Sequence, residues 1–208
     1  MESQKPNVHD EFISNLVSER LTTSLWSTKK VLFGHKIAQY PVDLILWDTF
    51  LHRRVAIKSI VELGSAAFGL SLYLALQAKQ RGMEFRTFDI QAHDNLGSPL
   101  SKLVGLRNNF ICGDIFGARK SRLISLLVHE LPHPVLLYCD DGDKPREFRE
   151  FVPYLRVGDY VGVHDWGREI DLEDVTIFGD AVVSLYWEEW HEMGSITRFM
   201  KVVRKVKL

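Results

Sequence analysis

The chain has 208 residues and a formal net charge of −1. Hydrophobic residues make up 46% and charged residues 25%, the balance of a globular protein with a buried core. Near-neutral charge gives no overall attraction to nucleic acid or to an anionic membrane. No apolar run reaches the roughly 18 residues that span a bilayer, and the polar first residues lack the apolar stretch of a secretory signal. We therefore expect a cytoplasmic protein that binds neither nucleic acid nor membrane.

The N-terminal quarter of the chain predicts helices. Residues 1–8 are polar and predicted to be disordered, and apolar residues recur at helical spacing over residues 9–25. Gly34 indicates a turn, and Pro41 opens a second helix because proline suits a first helical turn. We expect residues 1–56 to form a helical extension, whose apolar faces favour a homodimer.

From residue 57 onward the pattern changes to strands alternating with helices. Strands are predicted at residues 57–63, 85–90, 109–112, 134–139, 160–164, 181–187 and 195–203. Helices are predicted at residues 70–79, 119–130, 144–155 and near 170–175. The alternation is typical of a mostly parallel sheet with helices on both faces. The last two strands have no clear helix between them, which predicts an antiparallel hairpin. The predicted class is α/β: residues 57–208 form a Rossmann-like domain with a seven-stranded sheet, the layout of class I methyltransferases.

The two cysteines, Cys112 and Cys139, each end a strand that is predicted to be buried. A disulfide framework requires more cysteines and a smaller chain. We expect two reduced thiols in the core.

The first strand of this domain leads into a glycine-containing turn. Ligands of open α/β sheets bind beyond the carboxyl ends of the strands. Glycines there let the backbone approach a ligand, and the next helix offers free N–H groups to a carboxylate or phosphate. The dinucleotide pattern G-x-G-x-x-G is missing because position 66 is Ala. Glu62, two places before the first glycine, suits an amine-bearing ligand better than a pyrophosphate, and the methionine ammonium of S-adenosylmethionine fits this description.

The second and third strands also end in acidic residues. Asp89 is placed to accept both ribose hydroxyls of a nucleoside, and Asp114 is placed to meet an adenine amine. The alternative to ligand binding is a structural role for these acidic residues, in salt bridges at the strand ends or in solvated turns. The predicted cofactor-binding residues are Glu62, Gly64, Ser65, Gly69, Ser71, Asp89, Ile90, Asp114 and Ile115. Together they favour S-adenosylmethionine but leave NAD open.

The fourth strand is followed by the acidic run at residues 140–144, and the fifth ends in His164 and Asp165. Carboxylates this close together repel unless a cation offsets them, and Mg²⁺ prefers oxygen ligands. Asp141 and Asp165 are therefore predicted to share a metal, with His164 as a third ligand or a base. Lys144 is a candidate general base if burial lowers its pKa, whereas nearby carboxylates act in the other direction. A solvated loop is the alternative.

A polar link follows the sixth predicted strand. It is rich in aromatic and acidic side chains, which makes it a candidate wall of an acceptor pocket. The residues concerned are Trp187, Glu188, Glu189, Trp190 and His191. A surface loop with partly buried aromatics is the alternative.

The segment before the first strand resembles the cephalosporin hydroxylase / rhamnosyl O-methyltransferase family, which carries G-x-x-x-x-Q-x-P-x-D-L there. The matching residues are Gly34, Gln39, Pro41, Asp43 and Leu44. Residues 141–144 match the position of that family's Asp-Ser-x-His segment. Residues 158–160 (Gly-Asp-Tyr) precede His164 and Asp165, where the family has Glu-Asp. The resemblance covers residues 30–166.

The resemblance implies a class I methyltransferase that binds S-adenosylmethionine, with Mg²⁺ held by Asp141 and Asp165. Two departures affect the reaction site: His164 replaces an acid, and Lys144 replaces a histidine. The expected activity is O-methylation of a small-molecule or sugar hydroxyl, with Lys144, His164 and Asp141 as catalytic residues. The alternatives are an NAD(P)-dependent oxidoreductase and a nucleoside-binding module that has lost its reaction site.

Overall fold

The computed structural model describes residues 31–32, 34–92, 94–185 and 194–206. The predicted disorder at residues 1–8, the predicted helix at 9–25 and the candidate pocket wall at 187–191 lie outside the described residues. Within the described ranges, no helix is long and apolar enough to cross a membrane.

The described chain contains a short hairpin and a large sheet. The hairpin pairs β1 (Val31–Leu32) with β2 (His35–Lys36), and Gly34 lies in its turn. The large sheet has seven strands. They are β3 (Ser59–Leu63), β4 (Glu84–Asp89), β5 (Phe110–Cys112), β6 (Val135–Cys139), β7 (Tyr160–Val163), β8 (Val182–Leu185) and β9 (Arg198–Val202).

The sheet has the order β5-β4-β3-β6-β7-β9-β8. Strands β3 to β7 are parallel to one another, and β9 is antiparallel to both β7 and β8. The predicted α/β class, the mostly parallel seven-stranded sheet and the C-terminal antiparallel hairpin are confirmed. The position of the last strand between β7 and β8 was not predicted, because strand order depends on pairing between distant segments.

Helices occupy the connections between the strands. They are α1 (Pro41–Arg53), α2 (Gly69–Arg81), α3 (Pro99–Leu103), α4 (Leu106–Asn109), α5 (Lys120–Ser125), α6 (Lys144–Phe151) and α7 (Leu172–Thr176). The predicted helices at 119–130 and 144–155 are each divided. The first continues as a π-helical turn at Leu126–Glu130, and the second as a 3-10 turn at Val152–Tyr154. The sequence assigned no helix to the segment that forms α3 and α4.

Helix α1 packs directly on the sheet. Its Trp47 is fully buried and lies edge-on to Tyr138 of β6 and Phe199 of β9, with ring centroids 4.7 and 4.8 Å apart. Leu46 and Phe50 are buried in the same cluster. The apolar face of α1 is thus covered by this chain's own sheet, so the expectation that this face is exposed is wrong. The homodimer itself stays a prediction. The division of the chain at residue 56 stays a prediction.

The two cysteines differ in burial. Both are free thiols, and Cys139 is buried in the central strand β6 as predicted. Cys112 is exposed, so its predicted place in the core is wrong. The physical reason is position, because Cys112 ends β5 at the edge of the sheet.

Candidate functional site

A cleft with a volume of about 390 Å³ opens beyond the carboxyl ends of the parallel strands. This is the edge where ligands bind in open α/β sheets. The predicted site residues that line the cleft are Gly64, Asp89, Asp141, Lys144, His164 and Asp165. The loops after β3, β4, β6 and β7 therefore meet at one place.

The loop between β3 and α2 holds its backbone tightly against its neighbours. Gly64 has a φ of +91°, and a Cβ atom there would lie 2.4 Å from the backbone oxygen of Asp140. A Cβ atom at Gly69 would lie 2.2 Å from the backbone oxygen of Lys36. Ala66 and Phe68 also have positive φ angles, of 42° and 64°. Left-handed backbone at non-glycine residues costs free energy and is concentrated at ligand sites.

Asp89 connects this loop to the cleft. Its Oδ2 accepts a hydrogen bond from the backbone N–H of Ala66 at 2.7 Å, and its Oδ1 accepts one from Gln91 at 2.9 Å. The carboxylate lines the cleft and lies at the end of β4, where the sequence placed a ribose-binding residue. The neighbouring Ile90 is 64% exposed.

Glu62 lies beneath the loop rather than in the cleft. Its side chain is fully buried, and Oγ1 of Thr87 donates a hydrogen bond to Oε2 at 2.6 Å. Ser65 continues the network, with its Oγ 2.6 Å from the same Thr87 hydroxyl. Burial raises the pKa of Glu62 to about 8, although hydrogen bonding by Ser71 and Thr87 lowers it. The structure therefore places Asp89, but not Glu62, where it can contact a ligand in the cleft.

The remaining predicted cofactor residues do not line the cleft. Gly69 and Ser71 are buried at the start of α2. Asp114 is exposed and accepts a hydrogen bond from the backbone N–H of Phe116 at 2.8 Å, and Ile115 is buried in the core. Asp114 thus forms a local turn of its own.

Four side chains beyond β6 and β7 form a cluster of mixed charge: Asp140, Lys144, His164 and Asp165. Nδ1 of His164 lies 3.1 Å from Oδ1 of Asp140 and 3.1 Å from Oδ2 of Asp165. Nζ of Lys144 lies 3.1 Å from that same Asp165 oxygen and donates to Oε2 of Glu169 at 2.6 Å. Lys144, His164 and Asp165 are thus brought together, as expected for residues that follow neighbouring parallel strands.

The cluster holds its basic members in their charged forms. Burial by itself lowers the pKa of His164, but hydrogen bonds to Asp140 and Asp165 outweigh it and raise the pKa to about 10. Burial also acts to lower the pKa of Lys144, and its bonds to Glu169 and Asp165 again raise it. The same contact with His164 lowers the pKa of Asp165. Lys144 therefore does not have the depressed pKa that a general base requires.

Asp140, and not the predicted Asp141, is the aspartate of this cluster that follows β6. Oxygen and nitrogen atoms of Asp140, His164 and Asp165 lie within 4.8 Å of one another, a spacing that could hold a metal ion. Asp141 lines the cleft outside that group. Asp140 directly follows the last residue of β6, and this position was the available signal.

The segment before β3 contributes residues that hold the cluster in place. Nε2 of Gln39 donates to Oδ2 of Asp140 at 2.6 Å. Asp43 is fully buried, accepts from Oγ of Ser195 at 2.7 Å, and lies 3.9 Å from Nε2 of His164. The Q-x-P-x-D motif therefore places two of its side chains against the carboxyl ends of the strands.

The fold is shared with solved structures of low sequence identity. A structure of CmcI with Mg and SAM has a TM-score of 0.63 and 14% identity, over 97% of this chain and 87% of that one. CmcI with SAH has a TM-score of 0.60 and 14% identity, over 97% and 94%. A proposed O-methyltransferase from Klebsiella pneumoniae has a TM-score of 0.51 and 15% identity, over 82% and 84%. The chain has a Rossmann-like methyltransferase fold. No family model matches the sequence, and no curated protein sequence matches it.

A shared methyltransferase fold locates the cleft but does not by itself assign a reaction. In this fold the cleft lies at the strand ends where Asp89 and the Gly64 loop meet the mixed-charge cluster. The reaction has to be inferred from the chemistry of those residues.

Proposed function

We propose that this protein is an S-adenosylmethionine-dependent methyltransferase that acts on a hydroxyl group of a small molecule or sugar. The observation that carries the proposal is the cleft itself. It is lined by Asp89, by the strained Gly64 loop and by the mixed-charge cluster, in a fold shared with a protein solved with SAM and SAH.

The cofactor half of the cleft would hold the nucleoside and the amino acid. Asp89 already accepts backbone N–H groups, and its carboxylate oxygens can each accept a further bond from a ribose hydroxyl. Gly64 lines the cleft, and because it has no side chain its backbone can lie directly against the backbone of Asp140. Glu62 lies beneath the loop. It supports the loop through hydrogen bonds by way of Thr87 and Ser65, and it does not contact the ligand directly.

The reaction half of the cleft would supply a base and a rigid frame. In methyl transfer the acceptor oxygen forms a bond to the methyl carbon as the carbon–sulfur bond breaks, and the hydroxyl proton leaves to a base. Asp141 lines the cleft, and burial raises its pKa, which makes its carboxylate a better proton acceptor. Lys144 and His164 are cations and act as positioning residues for Asp140 and Asp165. Most of the rate acceleration would come from alignment of the acceptor with the methyl group.

The family resemblance implied a divalent cation as well. The atoms that would bind this cation, on Asp140, His164 and Asp165, lie within 4.8 Å of one another, which is close enough for one ion. In the present arrangement they do not fit the ion, because Nδ1 of His164 and Nζ of Lys144 both lie 3.1 Å from Oδ2 of Asp165, and Nδ1 also lies 3.1 Å from Oδ1 of Asp140. No step is therefore assigned to a metal.

Ligand-dependent thermal stability tests the cofactor assignment. A ligand that binds only the folded state raises stability by about 2.7 kcal/mol at a concentration of 100 times its Kd. We expect S-adenosylhomocysteine to raise the melting temperature and NAD to leave it unchanged. Asp89→Asn should weaken S-adenosylhomocysteine binding by about tenfold, which is the loss of one charged hydrogen-bond acceptor. Glu84→Gln, on the exposed start of β4, is the matched control.

Stabilisation by NAD without stabilisation by S-adenosylhomocysteine would instead indicate an oxidoreductase. The methyl-transfer assignment then needs a second measurement, which is the mass gain of hydroxyl acceptors incubated with the protein and S-adenosylmethionine. Binding without any transfer across sugars and phenols would identify a binding module.

A further inference from the structure

The ammonium group of Lys144 sits in a cage of oxygen atoms. Its Nζ lies 2.6 Å from Oε2 of Glu169, 3.0 Å from the backbone oxygen of Asp141 and 3.1 Å from Oδ2 of Asp165. A fourth oxygen, Oδ1 of Asp140, lies at 3.9 Å. The Lys144 side chain is only 4% exposed. Carboxylate and carbonyl oxygens around a single charge are the surroundings that a hard divalent cation prefers, and here a side chain of the chain itself fills them.

Local structure fixes the ammonium group at this point. Lys144 is the first residue of α6, and the Asp143 side chain caps the helix by accepting from the backbone N–H of Arg146 at 3.2 Å. Asp165 has a φ of +55°, a left-handed conformation that aspartate tolerates better than most residues. The helix start and this turn aim the lysine and the carboxylate at one another.

The two aspartates also have donors other than the lysine. Oδ2 of Asp140 accepts from Gln39 at 2.6 Å, and Nδ1 of His164 lies 3.1 Å from both Asp140 and Asp165. A divalent cation bound by Asp140, His164 and Asp165 would have to displace the lysine ammonium and replace the proton on Nδ1 of His164.

We propose that the Lys144 ammonium, together with His164, replaces the divalent cation in this cleft, so that neither ligand binding nor methyl transfer requires Mg²⁺. The part of this proposal that concerns methyl transfer rests on the proposed function. The geometric part does not, because it concerns which cation the carboxylates bind. A positive charge beside Asp165 and Asp140 offsets the negative charge of the carboxylates, so that they repel an electron-rich acceptor oxygen less.

Titration of the wild-type protein with Mn²⁺ directly tests which cation the carboxylates bind. Binding of Mn²⁺ is measured as a loss of the electron paramagnetic resonance signal of the free ion. We expect no saturable binding in the micromolar range, with or without S-adenosylhomocysteine. The affinity for S-adenosylhomocysteine should change by less than about twofold between EDTA and excess Mg²⁺, since a ligand that does not bind the protein cannot shift its equilibria. Micromolar Mn²⁺ binding that is lost in Asp140→Asn would overturn the proposal.

A redesigned site provides a second test. The double variant Lys144→Ala with His164→Glu lacks both cationic side chains, so its carboxylate oxygens are free to bind a metal ion. The affinity of this variant for Mn²⁺ should be at least about tenfold higher than that of the wild type. Lys144→Arg keeps a positive charge and should bind Mn²⁺ no better than wild type. Lys120→Ala removes a surface lysine paired with Glu150 and is the control for general charge change. Equal Mn²⁺ affinity in the double variant and in Lys120→Ala would count against the proposal.

The two proposals fail in distinguishable ways. If S-adenosylhomocysteine does not bind under either metal condition, the proposed function fails, and the Mn²⁺ titrations still decide the cation. If it binds only in the presence of Mg²⁺, the cofactor assignment stands and the replacement of the metal by Lys144 is refuted.

Discussion

Two buried glutamates lie beneath the loops of the cleft, and they show how environment decides the chemistry of a residue. Glu62 is fully buried under the β3–α2 loop. Glu147 is fully buried on α6, and its Oε2 lies 3.4 Å from the backbone nitrogen of Asp141. Burial raises the pKa of each to about 8. Neither glutamate lines the cleft, so their effect is on stability and on the loops that they support.

The raised pKa of Glu62 makes stability depend on pH. Because the folded pKa of about 8 exceeds the ordinary value of 4.5, the contribution of the protonated Glu62 carboxyl to stability is complete below about pH 4.5 and is lost as the pH rises toward 8. Glu62→Gln removes the titration but keeps the shape. The free energy of unfolding of the wild type should fall relative to that of the variant by about 1.4 kcal/mol per pH unit, and by no more than about 5 kcal/mol in all.

Urea unfolding at a series of pH values measures this difference. Glu84→Gln, on a half-exposed side chain, should follow the wild-type pH dependence. Parallel pH curves for wild type and Glu62→Gln would show that the Glu62 carboxyl ionises in the folded protein much as it does in the unfolded chain.

At the scale of elements, the loop between β3 and α2 decides the shape of the cleft. Gly64→Ala would require a side chain at a φ of +91° and a Cβ atom 2.4 Å from the backbone oxygen of Asp140. We expect a loss of about 2–4 kcal/mol in the free energy of unfolding, from backbone strain and overpacking together. S-adenosylhomocysteine binding should be lost as the loop shifts.

Gly97→Ala is the matched control, because no atom lies within 4 Å of a Cβ atom built there. Chemical denaturation measures the stability change and calorimetry the binding. If Gly64→Ala is as stable as Gly97→Ala and binds ligand as the wild type does, the loop does not depend on its close approach to Asp140.

At the scale of the whole molecule, α1 joins segments that are distant in sequence. Trp47 contacts Tyr138 on a central strand and Phe199 on the last strand of the described chain. Trp47→Ala should lower the free energy of unfolding by about 3–5 kcal/mol, the usual cost of deleting a large buried aromatic side chain. Guanidinium unfolding measures this loss.

Val55→Ala changes an 80% exposed side chain close by in the chain, and its effect should stay within about 0.5 kcal/mol. A small loss for Trp47→Ala would support the predicted division of the chain at residue 56, with α1 outside the cooperative domain. A large loss would place α1 within it.

Elements with several turns or a full apolar run were predictable from sequence. Helix α2 and strand β6 were predicted to within one or two residues, because periodicity and capping are local signals. Helices α3 and α4 have five and four residues, about one turn each, and this is too short for a periodic pattern. Among the site residues, the acidic strand ends were predictable from the rule that ligands meet the carboxyl edge of a sheet.

The sequence by itself determined the fold class, the alternation of strands with helices that makes a sheet mostly parallel, and the set of strand ends from which a site could form. Local patterns carry that information, since each depends on residues a few places apart. The tertiary structure alone decided that Asp140, and not Asp141, joins His164 and Asp165, that Glu62 lies beneath its loop, and that Lys144 is held as a cation. Side-chain direction, burial and charge pairing depend on neighbours that the chain brings together only when it folds.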